Sequence, residues 1–132
     1  MKRKMTVAAV VAGALLAATS AVAGFRSSQE VMVDVTTRHA QGSLGGARNS
    51  ADSMQFIGCY TQSVSPFTTI LGQCSARDAS GTYVSCSSTA PGFVNMVQSL
   101  NGDSSLAFGW DASNTCTSII IFNNSEDALK KP

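Results

Sequence analysis

Apolar and polar residues alternate along much of the chain, and this period of two predicts β-strands. In the first such segment Val31, Val33 and Val35 share one face, while Met32 and Asp34 share the other. Later segments are rich in Thr, Ser, Val and Ile, which is typical of strands with one half-buried face. Strands are predicted at residues 31–37, 54–61, 67–76, 82–88, 106–111 and 116–122.

The period changes to that of a helix in residues 91–100. Apolar residues recur there at i, i+3, i+4 and i+7, as Phe93, Met96, Val97 and Leu100. Thr89 is a candidate N-cap, and Asn101-Gly102 provides a stop signal at the other end. The pattern therefore predicts an α+β fold, with an antiparallel β-sheet of five or six strands, one amphipathic helix and, from the cysteines below, two disulfides.

Residues 38–53 interrupt the strand pattern with Gly, Ser, Ala and Asn and contain no aromatic residue, which predicts a flexible connection. The glycines at 42, 45 and 46 are not followed by the Lys-Ser/Thr pair of a phosphate-binding loop. We expect a single domain. In it, residues 24–53 form an N-terminal strand and a flexible Gly/Ser-rich segment, and residues 54–132 form a disulfide-stabilised core.

The N-terminal residues have the three parts of a secretory signal peptide. Lys2, Arg3 and Lys4 are the basic part, residues 7–18 are apolar, and Ala21-Val22-Ala23 places small residues before a cut after Ala23. Residues 1–23 are thus predicted to be removed during export by the general secretory route, to the periplasm or outside the cell. No later stretch approaches the roughly 18 apolar residues of a transmembrane helix.

Cleavage at this position reverses the net charge. It removes three of the nine cationic residues and leaves six against eight carboxylates. Because a chain with this balance has no basic face to neutralise a phosphate backbone, nucleic acid is not expected as a partner.

All four cysteines, Cys59, Cys74, Cys86 and Cys116, follow the predicted cut. An even number in a short exported chain predicts two disulfides, and the spacings match neither a redox pair nor a zinc site. A turn at residues 78–81 would close a hairpin that places Cys74 opposite Cys86. We therefore predict bridges Cys74–Cys86 and Cys59–Cys116, with an interleaved pairing as the alternative.

Few residues suggest catalysis or metal binding. His39 is the only histidine, so a serine hydrolase would have to use it. Residues 101–105 and 123–127 are rich in oxygen ligands, but neither segment reproduces the twelve-residue calcium loop with its glutamate. We predict no catalytic residue, no metal ligand and no cofactor.

Five residues form a candidate binding surface. Arg48, Asn49 and Asp52 belong to a polar segment before a strand, and Tyr60 and Tyr83 combine an apolar ring with a polar tip near the cysteines. The alternative is that Asn49 and Asp52 satisfy backbone groups and that the tyrosines cover the edge of the core. Trp110, the only tryptophan, is expected in the core.

Several short motifs resemble an uncharacterised family of small exported bacterial proteins with two disulfides. They are residues 47–53 leading to Ile57-Gly58-Cys59, the run Cys74-Ser75-Ala76-Arg77-Asp78, Ser85-Cys86, and Trp110-Asp111 before Cys116. The resemblance implies export and disulfides, and it implies no activity, ligand or catalytic residue.

The sequence favours a non-enzymatic exported protein that binds an unknown protein or envelope component. The alternative is an inhibitor of a secreted hydrolase, which would need a rigid exposed loop such as residues 62–66 or 78–81. A hydrolase that uses His39 is the third hypothesis.

Overall fold

A computed structural model describes residues 27–127 and residue 129. The predicted signal peptide, residues 1–23, lies outside the described residues. In chain order the elements are β1 (Met32–Asp34), β2 (His39–Ser43), α1 (Leu44–Asn49), β3 (Phe56–Ser63), β4 (Ile70–Arg77), β5 (Tyr83–Ser88), α2 (Pro91–Gln98), β6 (Ser105–Trp110) and β7 (Cys116–Phe122).

Within the described residues, the seven strands form two antiparallel sheets. One sheet has the order β1-β2-β6-β7 and the other the order β3-β4-β5. The α+β class is confirmed, but the strands are divided between two sheets, and a second, short helix follows β2. A short parallel bridge between Ser87 and Thr115 joins β5 to the residue before β7.

The inner faces of the two sheets and helix α2 share one core. Leu106 and Phe108 of the central strand β6 are almost fully buried, and the Phe108 ring lies 5.9 Å from that of Trp110. Ile57 and the neighbouring inner residues of β4 and β5 belong to the same cluster. The core position predicted for Trp110 is confirmed.

Helix α2 supplies one face of this core. Phe93 and Val97 are buried as the period predicts, whereas Met96 is more than one-third exposed. The N-cap is Ala90 and not Thr89, and it makes no side-chain capping bond. Gly72 allows the helix to approach β4, since a Cβ on Gly72 would lie only 2.9 Å from the Phe93 ring.

The prediction of a flexible connection at residues 38–53 is wrong. This segment contains β2, which pairs with both β1 and β6, and the short helix α1. Its small residues serve close packing, because a Cβ on Gly42 would lie 3.0 Å from the Cα of Val31. The Ser43 hydroxyl accepts a hydrogen bond from the Gly46 amide at 2.9 Å and so caps α1.

The predicted disulfide pairing is also wrong, although the predicted hairpin register is right. Cys74 does lie opposite Cys86, but Cys59 lies opposite Cys74 on the other side of β4. The bridges are Cys59–Cys74 and Cys86–Cys116. Opposite residues approach most closely at non-hydrogen-bonded positions, with Cα atoms about 4.5 Å apart. The 4.0 Å between the Cα atoms of Cys59 and Cys74 is shorter still and therefore favours that closer arrangement.

The two bridges therefore have different roles. Cys59–Cys74 joins adjacent strands within the three-stranded sheet. Cys86–Cys116 joins that sheet to the four-stranded sheet, because Cys86 is in β5 and Cys116 begins β7.

Candidate functional site

The outer side of the three-stranded sheet carries three exposed aromatic rings. Side chains alternate across a strand, so Ile57, Cys74 and Ala76 face the core and their neighbours face outward. We call this outer side the aromatic face. It comprises Phe56, Gly58 and Tyr60 of β3, Gln73, Ser75 and Arg77 of β4, and Tyr83 and Ser85 of β5.

The register arranges these residues in rows across the strands. Arg77 lies opposite both Phe56 and Tyr83, and its guanidinium carbon is 5.4 Å from the centre of the Tyr83 ring. This is the geometry of a cation–π contact. Tyr60 lies opposite Gln73, and its hydroxyl donates a hydrogen bond of 2.9 Å to the Gln73 side-chain oxygen.

Small residues separate these two rows. Gly58, Ser75 and Ser85 lie opposite one another, between the row that contains Arg77 and the row that contains Gln73. The Phe56 ring leans along its strand, so that a Cβ on Gly58 would lie 3.7 Å from the Phe56 Cζ atom. These small residues separate the two rows on the sheet, and Ser75 itself is buried.

The rings are available to a partner. Phe56 is 50% exposed, Tyr60 48% and Tyr83 51%, so these side chains lie on an exposed sheet face. Arg77 makes no ion pair among the described residues, and its guanidinium packs against the Tyr83 ring. The aromatic face therefore presents a positive charge that no described carboxylate pairs with. The described residues contain three arginines and eight carboxylates.

A cleft of about 520 Å³ adjoins this face. Arg48 and Asp52 line it, and so does Phe56, which connects the cleft to the aromatic face. Other lining residues are Leu44, Ala47, Ser53, Gln55 and Ile57. Two of the three residues predicted from the 48–52 segment thus lie in a cleft that shares Phe56 with the aromatic face, whereas neither predicted tyrosine lines it.

Asp52 also has a structural role in this cleft. Its carboxylate accepts hydrogen bonds from the Gln55 side chain at 2.7 Å and from the Gln55 and Met54 amides at 2.8 Å. These bonds, that of the Gln55 side chain first, hold the pKa of Asp52 below its ordinary value. Gln55 in turn accepts a bond of 2.7 Å from the Val31 amide, so the segment is tied to the start of β1.

Asn49 does not line the cleft. Its side-chain amide donates a hydrogen bond of 2.8 Å to the backbone oxygen of Leu129, which links α1 to the C-terminal segment. The sequence interpretation missed Phe56, Gln73 and Arg77. Alternation places each of them on the outer face, but only the strand register brings Arg77 between two aromatic rings.

A second exposed surface lies at the tip of the β3–β4 hairpin. Val64 is 66% exposed and Phe67 71%. The Phe67 amide donates a bond of 2.7 Å to the Val64 carbonyl, and the Ser63 hydroxyl bonds the Thr69 carbonyl at 2.8 Å. The other loop considered for inhibition, residues 78–81, is a polar turn closed on the Asp78 carboxylate.

His39 lies on the outer face of the other sheet. It is opposite Asp34 on one side and Gly109 on the other, and Ser118 lies beyond Gly109. The Asp34 carboxylate accepts the Thr36 and Thr37 amides, and no hydrogen bond joins these three side chains to one another within the described part of the chain. This arrangement gives the hydrolase hypothesis no support.

The described residues form neither a metal-binding cluster of side chains nor a membrane-spanning helix. No group of three or more His, Cys, Asp or Glu side chains among them is placed to hold a metal ion. None of the helices in residues 27–127 is long and apolar enough to cross a membrane.

Comparison of the chain with protein-family models, with curated proteins and with solved structures finds no match.

Proposed function

We propose that this is an exported, non-enzymatic binding protein that attaches to an envelope polysaccharide through the aromatic face. The observation that carries the proposal is the exposed row of Phe56, Arg77 and Tyr83, in which a guanidinium that forms no ion pair with any described residue is stacked on a ring. Support for export comes from the signal-like residues 1–23 and from the two disulfides, which form in oxidising compartments.

The aromatic face is preorganised for binding. Aromatic side chains offer a large contact area for little loss of conformational entropy. The Tyr60–Gln73 hydrogen bond and the Arg77–Tyr83 contact already restrict the side chains, and the Cys59–Cys74 bridge fixes the two strands from the opposite side. Less ordering is then needed when a ligand arrives, which favours affinity.

The chemistry of the face indicates the kind of ligand. Rings can cover the apolar faces of sugar units, while the half-buried Ser85 and Gln73 side chains offer hydrogen-bonding groups between them. Arg77 can bind a carboxylate through two parallel hydrogen bonds. We therefore favour a polysaccharide that carries carboxylate groups. The neighbouring cleft, which Arg48 and Phe56 line, would extend the binding surface beyond the aromatic face.

Co-sedimentation with the insoluble envelope fraction of the producing cells tests this proposal. The mature, oxidised protein should sediment with it, and the Tyr60→Ala/Tyr83→Ala variant should bind at least about tenfold more weakly, because buried aromatic anchors dominate interfaces. The matched control is Ile120→Ala/Phe122→Ala on β7, whose side chains are similarly exposed. Equal binding by the tyrosine variant and the wild type would reject the aromatic face.

The hairpin tip supports a second candidate function, inhibition of a secreted hydrolase. Its exposed Val64 and Phe67 are held by backbone hydrogen bonds on a hairpin that is crosslinked by Cys59–Cys74. A panel of secreted proteases and lysozymes assayed with micromolar protein tests this function. Inhibition should weaken at least about tenfold in Phe67→Ala, and the absence of any inhibition would reject it.

A further inference from the structure

Two oxygen-rich segments that are far apart in the sequence meet in the structure. The Asn101 side chain donates a hydrogen bond of 3.0 Å to the Asn123 side-chain oxygen, which also accepts from the Ser104 hydroxyl. The Ser105 hydroxyl donates to the carboxylate of Asp127. The loop before β6 and the segment after β7 are thus tied together by side chains.

A cleft of about 270 Å³ lies at this junction. It is lined by Asp103 from the first segment and by Asn124, Ser125, Asp127 and Leu129 from the second. The Asn124 side-chain nitrogen donates to Glu126 at 3.2 Å, which leaves the Asn124 side-chain oxygen available. Carboxylate, amide and hydroxyl oxygens therefore surround one space.

Asp127 is the unusual member of this group. It is only 9% exposed, and while one carboxylate oxygen accepts from Ser105, the other is buried without a hydrogen-bond partner among the described residues. An isolated ionised carboxylate is costly to bury unless a cation or a hydrogen bond compensates it. Unsatisfied buried groups of this kind commonly mark a bound ion or water.

We propose that this cleft, the Asp103–Asp127 cleft, binds Ca²⁺. Calcium takes six to eight oxygen ligands from carboxylates, amides, backbone carbonyls and water in a flexible geometry. Two carboxylates balance its charge, and the remaining positions suit Asn124, Ser125 and water. Mg²⁺ fits less well, because it demands near-ideal octahedral geometry and gives up its water reluctantly.

The position of the cleft gives the ion a structural effect. It would crosslink the entry to the central strand β6 with the segment that follows the edge strand β7. Ions that bind only the folded state stabilise it by mass action. Calcium would therefore fasten the C-terminal segment to the body of the domain, a role that is separate from binding at the aromatic face.

Thermal unfolding of the EDTA-treated, mature and oxidised protein tests the inference, with CaCl₂ alone as the added ligand. Extracellular calcium modules have a Kd on the order of 10⁻⁴–10⁻³ M. About 10 mM CaCl₂ should therefore raise the Tm by at least about 4 °C, and MgCl₂ at equal ionic strength should raise it less. Isothermal titration calorimetry should detect one site.

Three variants locate the site. Asp127→Asn should abolish the calcium response and, in EDTA, melt no lower than the wild type, because it removes a buried charge. Asp103→Asn changes an exposed residue and should weaken calcium binding at least about fivefold, so it remains informative if Asp127→Asn does not fold. Glu30→Gln, which removes an exposed carboxylate elsewhere, should respond as the wild type does.

The inference is overturned if the wild type shows neither a calcium-dependent Tm shift nor heat of binding. It is equally overturned if Asp103→Asn and Asp127→Asn bind calcium as tightly as Glu30→Gln, since the ion would then lie elsewhere. Binding at the aromatic face is measured in EDTA, so a negative calcium result leaves the proposed function separately testable.

Discussion

Gly46 lies where the start of α1 touches the chain before β1, and this contact leaves no room for a side chain. A Cβ there would clash with the Gln29 carbonyl oxygen and would come within 2.5 Å of the Ser43 hydroxyl that caps the helix. At Gly92 in α2, by contrast, a Cβ would meet nothing within 4 Å. The two glycines therefore occupy opposite environments.

We predict that Gly46→Ala lowers the free energy of unfolding by about 1–3 kcal/mol, because backbone must move to relieve the clash. Gly92→Ala is the matched control, and it should be neutral or stabilising by up to about 1 kcal/mol, because alanine favours a helix over glycine. Urea denaturation of both variants measures the difference. A Gly46→Ala variant as stable as the control would contradict the packing described for residues 38–53.

Aspartates close the turns of this domain. Asp111 accepts the Thr115 and Ser113 amides, and Asp34 accepts the Thr37 and Thr36 amides. These bonds lower the pKa of each carboxyl below its ordinary value of 3.8. The Ser80 hydroxyl does the same for the pKa of Asp78 in the β4–β5 turn.

We therefore predict a loss of stability in acid. Because these pKa values are lower in the folded state, the unfolded chain binds protons first as the pH falls. The stabilisation is complete above the unfolded pKa near 3.8 and is lost as the pH falls through the lowered folded values. Melting curves from pH 6 to pH 2 should show a falling Tm, with a shallower fall in Asp111→Asn. A constant Tm would contradict this account.

At the level of elements, the positions of the predicted strands follow from alternation, and the β4–β5 register follows from the turn at residues 78–81. The disulfide pairing does not, because Cys74 has a cysteine opposite it on both sides and local patterning identifies only the one in the hairpin. Strand β2 and helix α1 were likewise not predicted. Their glycines are required by tertiary contacts, and a local sequence pattern does not reveal such contacts.

The two bridges should contribute differently to stability. On the loop-entropy model, loops of 15 and 30 residues are worth about 3 and about 4 kcal/mol. Removing Cys86–Cys116 by paired Cys→Ser substitution should cost more than removing Cys59–Cys74, because it also removes the covalent link between the two sheets. Chemical denaturation of the two variants compares these costs, and equal costs would contradict the inter-sheet role.

Non-reducing peptide mapping checks the pairing itself. Peptides that contain Cys59 and Cys74 should be recovered together, as should those that contain Cys86 and Cys116. Recovery of a Cys74–Cys86 peptide would refute the described arrangement.

At the scale of the whole molecule, one part of the candidate site could be predicted from the sequence and another part could not. Tyr60 and Tyr83 were candidates from the sequence because each combines an apolar ring with a polar tip near a cysteine. The position of Arg77 between Phe56 and Tyr83 depends on how β3 pairs with β4. That register is set by the connection at residues 64–69, and no local sequence pattern predicts the conformation of this connection. The Asp103–Asp127 cleft was missed for the same reason, as its two segments meet only after β6 pairs with β7.

Radical footprinting of the bound protein tests the aromatic face most directly, because four exposed rings report on three surfaces. Tyr60 and Tyr83 lie on the aromatic face, Phe67 at the hairpin tip and Phe122 on β7. On the envelope fraction, oxidation of Tyr60 and Tyr83 should slow at least about fivefold, as expected for rings desolvated at an interface core, while Phe67 and Phe122 should react as in the free protein. Protection of Phe67 or Phe122 with the tyrosines still reactive would contradict the account.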